Sequence, residues 1–86
     1  MKTYLVHLTG KREVSDEMMK AHWGFFYELT QKGPLKMAGP YTNFHGGAYV
    51  FEANTLEEAE ALAKNDPLVL NDLASISIFE WHLKIG

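Results

Sequence analysis

Two titratable side chains of this chain, His22 and Asp66, have the types and sequence settings that proton transfer requires. His22 falls on the apolar stripe of a predicted helix, where burial disfavours the charged imidazolium and favours a neutral ring that accepts a proton. Asp66 precedes Pro67 at the end of a second predicted helix. A carboxylate that orients an imidazole completes a minimal acid–base pair, so we predict His22 and Asp66 as the catalytic residues.

Both residues also have a purely structural interpretation. A histidine on an apolar stripe is often hydrogen-bonded within the core, and an aspartate before a proline often caps the backbone amides that follow it. Because the two positions lie far apart along the chain, the sequence alone leaves their pairing open.

Four further residues that could contact a ligand lie on or next to predicted strands. The step Gly39–Pro40 either ends a strand or lets backbone approach a bound molecule closely. Ser75 and Ser77 share one face of the last strand, where they either bind a ligand or fill the edge of the sheet. Aromatic side chains provide candidate walls for the same pocket. The predicted ligand-binding set is Gly39, Pro40, Ser75, Ser77, Phe26 and Tyr41, with Trp23 and Phe25 as additional wall residues.

The composition excludes several classes of site. The chain has 86 residues, a net charge of −3 and no cysteine. We therefore expect one domain spanning residues 1–86, with no disulfide or thiolate site, and no nucleic-acid partner, because phosphate neutralisation needs clustered Lys and Arg. The histidines show no metal-ligand spacing, no cofactor is expected, and no apolar run approaches a membrane span, so we expect a cytoplasmic protein.

Local signals predict the elements that must position the candidate pair. Ser15 is a helix N-cap, and Gly33 followed by Pro34 ends that helix near Lys32. Thr55 opens a second helix through a capping box with Glu58, and this helix stops before Pro67. Hydrophobic alternation and turn residues predict strands at 3–9, 35–41, 48–53 and 74–83, a connection at 42–47, and one helical turn at 68–73.

The predicted order, β-α-β-β-α-β, is that of the ferredoxin-like α+β folds, with a four-stranded antiparallel sheet and both helices on one face. The other face would be left bare, although its strands carry Leu, Phe, Tyr and Trp. We therefore expect it to pack against a second copy of the chain, giving a homodimer or a higher homo-oligomer.

The ordered motifs resemble those of the YCII-related family: His22, Gly33 at the helix end, Ala38–Pro40, an alanine-rich helix around Ala59, and Asp66–Pro67 before the final strand. The resemblance covers residues 3–83. It implies a dimeric α+β barrel formed by sheet-on-sheet packing, and a pocket in which His22 and Asp66 form the catalytic dyad.

The sequence is compatible with three functions. The first is a small cofactor-independent enzyme of the dehydrohalogenase, isomerase or lyase type, acting on a small cyclic or aromatic metabolite. The second is a module that binds a small molecule or a partner chain without chemistry. The third, which rests on fold analogy alone, is a haem-degrading or quinol-oxidising monooxygenase.

Overall fold

The structure, a computed structural model, describes all residues from 1 to 86. Its elements are β1 (Lys2–Gly10), α1 (Asp16–Lys32), β2 (Leu35–Pro40), β3 (Gly46–Ala53), α2 (Leu56–Ala63), α3 (Pro67–Leu70) and β4 (Ala74–Glu80). The four strands form one sheet in the order β2-β3-β1-β4, and every neighbouring pair is antiparallel. The predicted α+β class and the β-α-β-β-α-β order are confirmed, with α3 as a short addition.

The core lies between the helices and one face of this sheet. Alternate residues of β1, from Tyr4 to Leu8, point into it, as strand geometry requires. From α1 the buried positions are His22, Phe26 and Leu29, at spacings of three and four residues. From α2 they are two alanines, whose small side chains let the helix approach the sheet.

Helix α1 begins and ends where its capping residues stand. The hydroxyl of Ser15 accepts a hydrogen bond from the Met18 amide at 3.2 Å. At the other end, Gly33 has φ 98°, and its amide donates to the carbonyls of Leu29 and Thr30. A left-handed residue at this position favours glycine, which has no Cβ to clash. Caps therefore fix the helix on which His22 lies.

Strands β1 and β2 differ from the sequence-based prediction by at most one residue at each end, and three elements differ by more. Strand β3 begins at Gly46 and not at position 48, because Gly46 and Gly47 still pair with β1. Strand β4 ends at Glu80 and not at 83, because Glu80 already pairs with Tyr4, close to the start of β1. The short helix covers Pro67–Leu70 only. No helix is both long and apolar enough to cross a membrane.

Gly46 allows β3 to lie unusually close to β1. A Cβ atom built at this position would collide with the backbone carbonyl oxygen of Leu8. A backbone group cannot move aside as the end of a flexible side chain can, so the strands would have to separate. Gly24, within α1, has nothing within 4 Å of its would-be Cβ.

We expect Gly46→Ala to lower the free energy of unfolding by about 1–3 kcal/mol, the usual cost of overpacking. Gly24→Ala is the control: it should raise stability by roughly 0.5–1 kcal/mol, because alanine favours a helix interior. Urea unfolding followed by circular dichroism measures both. Equal midpoints for the two variants would contradict the close approach of β3 to β1.

Candidate active site

The structure brings His22 and Asp66 into direct contact. His22 Nδ1 lies 2.8 Å from Asp66 Oδ1, although the residues are 44 positions apart. His22 is 6% exposed and Asp66 is 0% exposed. A hydrogen bond shielded from water in this way is electrostatically stronger than one on the surface.

Asp66 also caps the helix that follows it. Its side chain is the N-cap of α3, and the same Oδ1 accepts a hydrogen bond from the Leu68 amide at 3.0 Å. Pro67 occupies the first helical turn, where its lack of an N–H group costs nothing. The local cap and the contact with His22 therefore coexist, and the cap holds the carboxylate where the imidazole meets it.

The contact with Asp66 sets the proton arrangement of the His22 ring. An ionised carboxylate only accepts hydrogen bonds. The proton of the neutral ring is therefore on Nδ1, and this N–H group donates the hydrogen bond to Oδ1. Nε2 then holds a free lone pair in the neutral ring. The ring is packed against Phe26, with centroids 4.5 Å apart at 62°, and against Trp23 at 5.2 Å. These contacts restrict the ring's rotation, so Nε2 has a fixed direction.

A cavity of about 310 Å³ lies beside this pair. His22, Trp23 and Phe26 line it from α1, and Leu68 lines it from α3. Four glycines at the end of the sheet also line it. Its remaining lining residues are Leu8, Gly10, Val14, Met19, Gly39, Pro40, Tyr41, Phe44, His45, Gly46, Gly47, Ala48, Leu73 and Ala74. A cavity of about 150 Å³ holds benzene, so this one has room for a single ring with substituents.

The lining of the cavity is predominantly apolar and includes no Asp, Glu, Lys or Arg. Its titratable side chains are two histidines, His22 and His45, and one phenol, Tyr41. Asp66 does not line the cavity, because it lies behind His22, to which it is hydrogen-bonded. No group of three or more His, Asp or Glu side chains is arranged to hold a metal ion.

The loop between β2 and β3 forms one wall of the cavity and is anchored at two points. The hydroxyl of Tyr41 is hydrogen-bonded to His7 Nδ1 at 2.8 Å, and Phe44 stacks on the same imidazole at 26°. Nε2 of His45 donates to the Arg12 carbonyl at 3.0 Å. These contacts hold the loop in place, and Tyr41, Phe44 and His45 line the cavity.

The structure brings four of the six predicted ligand-binding residues to the cavity, and these are Gly39, Pro40, Phe26 and Tyr41. Ser75 and Ser77 do not line it. Successive side chains of a strand point to opposite faces of the sheet. Ser75 and Ser77, which pair with Thr9 and His7, therefore lie on the face away from the helices. Among the additional wall residues, Trp23 lines the cavity and Phe25 does not, since Phe25 packs against the core.

Phe44 and His45 also line the cavity, although no sequence motif predicts them as cavity residues. Their segment, 42–47, has the composition of a polar connection because glycine and small polar residues dominate it. Two aromatic side chains within such a short loop were the available signal, since a loop with nothing to cover seldom exposes them. Tyr49, a buried phenol of β3, also carries no sequence signal of a role near the site, and it packs on Phe26 with ring centroids 4.8 Å apart.

Comparison with known proteins adds two solved structures of the same fold. The first, with a TM-score of 0.77 and 18% identity over 93% of both chains, is 5-chloro-2-hydroxyhydroquinone dehydrochlorinase (TftG) from Burkholderia phenoliruptrix AC1100 in complex with 2,5-dihydroxybenzoquinone. The second is a muconolactone isomerase, with a TM-score of 0.75 and 14% identity over 92% of this chain and 86% of that one. At these identities the likeness establishes the dimeric α+β barrel type of fold.

Sequence comparison gives the family. The uncharacterized protein YjpA of Bacillus subtilis (strain 168) is 39% identical over 84 residues, which is 98% of this chain and 99% of YjpA. The model of the YCII-related domain matches residues 1–82, nearly the whole length. The resemblance inferred from the ordered motifs is thereby confirmed: this chain belongs to the YCII-related family.

Proposed function

We propose that this protein is a small enzyme that uses His22 as its acid–base group, on a small cyclic or aromatic compound held in the adjacent cavity. The observation that carries the proposal is the buried hydrogen bond from His22 Nδ1 to Asp66 Oδ1, at 2.8 Å, on the wall of a cavity of about 310 Å³. In this role Asp66 is a positioning residue, because it does not line the cavity.

The chemistry follows from the proton arrangement of the pair. Nε2 takes a proton from a hydroxyl or an acidic carbon of the ligand, and the imidazolium that forms is stabilised by the Asp66 carboxylate. In an isomerisation, the same proton returns to another atom of the ligand. In a dehydrohalogenation, the electron pair left behind expels halide, and the proton later passes to water. Neither reaction needs an external electron acceptor.

The lining of the cavity restricts the substrate class. No cationic Lys or Arg is present to pair with a carboxylate or phosphate, and no Asp or Glu is present to pair with an ammonium group. Burying an unpaired charge is costly, so the substrate is a neutral or weakly acidic ring such as a phenol, hydroquinone or lactone. Trp23, Phe26 and Phe44 supply aromatic surfaces for such a ring.

The solved neighbours agree with this class. One is named for the removal of chloride from a hydroxyhydroquinone and the other for the isomerisation of a lactone. Both names describe reactions of small compounds, and a positioned acid–base group is suited to reactions of both types. Their low identity means that the argument for this chain depends on its own histidine, aspartate and cavity.

The same proposal includes a homodimer formed through the sheet face away from the helices. Leu5 lies at the centre of this face, between Val50 of β3 and Phe79 of β4 in the strand register. Phe79 is 56% exposed and Met37 is 64% exposed in the isolated chain. An apolar sheet face of this kind is stable in water when a second sheet covers it.

We expect the purified protein to convert at least one member of a panel of chlorinated hydroquinones and unsaturated lactones. His22→Gln should lower kcat by about 10²–10⁴-fold, the usual contribution of a positioned acid–base group. His82→Gln, in the exposed C-terminal tail, is the matched control and should keep full turnover. Product formation is measured by chromatography, and circular dichroism verifies folding. Full turnover by His22→Gln would refute the catalytic assignment, and binding without any turnover would favour a non-catalytic binding module.

We expect a neutral ring to bind better than a charged analogue of similar size. Hydroquinone should bind at least about tenfold more tightly than 4-hydroxybenzoate, because the carboxylate of the latter has no cationic partner in the cavity. Isothermal titration calorimetry measures both affinities. Tighter binding of 4-hydroxybenzoate would show that the inferred substrate class is wrong.

We expect Leu5→Glu to convert the dimer into a monomer, because it places a charge in the middle of the apolar interface. Tyr27→Glu, on an exposed position of α1, is the control and should remain a dimer. Light scattering after size-exclusion chromatography distinguishes the two states. A monomeric wild-type protein would contradict the proposed assembly.

A further inference from the structure

Three buried side-chain oxygen atoms have no hydrogen-bond partner in the protein, and two of them concern the His22–Asp66 pair. One is Oδ2 of Asp66, whose other oxygen accepts from both His22 and Leu68. The other is the hydroxyl of Tyr49, a residue that is 1% exposed. Leaving a buried polar group unpaired is destabilising, and such groups in folded proteins are nearly always satisfied by protein or by buried water.

The surroundings of Tyr49 bring it close to the acid–base pair. The ring of Phe26 packs against the His22 imidazole at 4.5 Å and against the Tyr49 ring at 4.8 Å, so one aromatic ring separates the two. Burial raises the pKa of the Tyr49 phenol far above its usual range, and the charge of Asp66 raises it further. The phenol therefore keeps its proton and is available as a donor.

The two unpaired atoms have complementary chemistry. A carboxylate oxygen only accepts, and a protonated phenol donates. They are too far apart for a direct hydrogen bond, and a buried water satisfies two such groups when it can bond to both. No other protein donor reaches Oδ2 of Asp66.

We propose that Tyr49 is a positioning residue for the acid–base pair, its hydroxyl donating through one buried water to Oδ2 of Asp66. This inference deepens the proposed function and names a residue that acts through Asp66. With both of its oxygens hydrogen-bonded, the Asp66 carboxylate cannot rotate about the Cβ–Cγ bond. Its plane then fixes the direction of the His22 ring, and with it the direction of Nε2 in the cavity.

Tyr4 provides a matched control for this assignment. It is also a tyrosine of the buried sheet face, it is 0% exposed, and its hydroxyl also has no protein partner. It differs in its surroundings, because its ring packs against Phe51 and not against Phe26. Tyr4→Phe and Tyr49→Phe therefore remove the same atom from the same kind of environment. Tyr4 is farther from His22 in the series of packed rings, because Phe51 lies between Tyr49 and Tyr4.

The first test is structural and thermodynamic, and it needs no substrate. A crystal structure at high resolution should show an ordered water bonded to both the Tyr49 hydroxyl and Asp66 Oδ2. In urea unfolding, Tyr49→Phe should raise the unfolding equilibrium constant about tenfold more than Tyr4→Phe does, because it removes a hydrogen bond that leads through the water to a charged carboxylate. In an Asp66→Asn background this difference should shrink, since the amide is neutral.

The second test uses turnover. With a substrate found in the panel above, Tyr49→Phe should lower kcat about tenfold and leave KM within twofold, while Tyr4→Phe changes neither, if a hydrogen bond to the carboxylate is what holds the His22 ring. If Tyr49 contributed only to stability, Tyr49→Phe would destabilise the protein without lowering kcat. In proton NMR, the His22 Nδ1–H resonance should also shift in Tyr49→Phe and stay in place in Tyr4→Phe.

Three results would overturn the inference. They are the absence of a bridging water, equal effects of the two tyrosine substitutions on stability, or an effect of Tyr49→Phe that is unchanged when Asp66 is asparagine. If the wild-type protein converts no substrate, the proposed function fails on that result alone. The water, the unfolding cycle and the NMR shift still decide whether Tyr49 acts on Asp66.

Discussion

The buried carboxylate of Asp66 is the constraint on which the cavity and its chemistry depend. Oδ1 accepts two hydrogen bonds, one from the first turn of α3 and one from the imidazole on α1. A buried charge without donors would be strongly destabilising, so these bonds are what make the position tolerable. Because they come from two helices, they also fix how α1 and α3 meet, and the cavity lies next to that junction.

A structural and a catalytic interpretation of these two residues do not exclude each other here. The aspartate caps a helix as a structural residue would, and the histidine is packed among aromatic side chains as a core residue would be. The hydrogen bond between the two side chains leaves Nε2 as the one ring nitrogen without a partner, beside an apolar cavity with no Asp, Glu, Lys or Arg in its lining. A fixed base in such a place is suited to proton transfer because little reorganisation accompanies the reaction.

The cavity lies at the end of the sheet where glycines let the strands pack closely. Gly46 packs against the backbone of Leu8, and Gly47 pairs with β1 on one side and Pro40 on the other. The loop after β2 lines this end of the cavity, and its Tyr41 is hydrogen-bonded to His7 on the sheet face away from the helices. The proposed dimer interface and the proposed substrate site are thus connected through one imidazole ring.

The sequence by itself determined the order of the elements, both ends of α1 and the start of α2, because caps and glycine stops are local interactions among residues close in the chain. It also singled out His22 and Asp66 as candidates by residue type. Only the tertiary structure decided that these two meet, that Ser75 and Ser77 lie on the sheet face away from the cavity, and that Phe44 and His45 cover it. The ends of strands likewise depend on the neighbouring strand. Strand β4 stops where its partner β1 begins, and no local pattern in 74–83 encodes that end. Contacts between distant segments depend on how elements pack, and packing is set by the whole set of side chains at once.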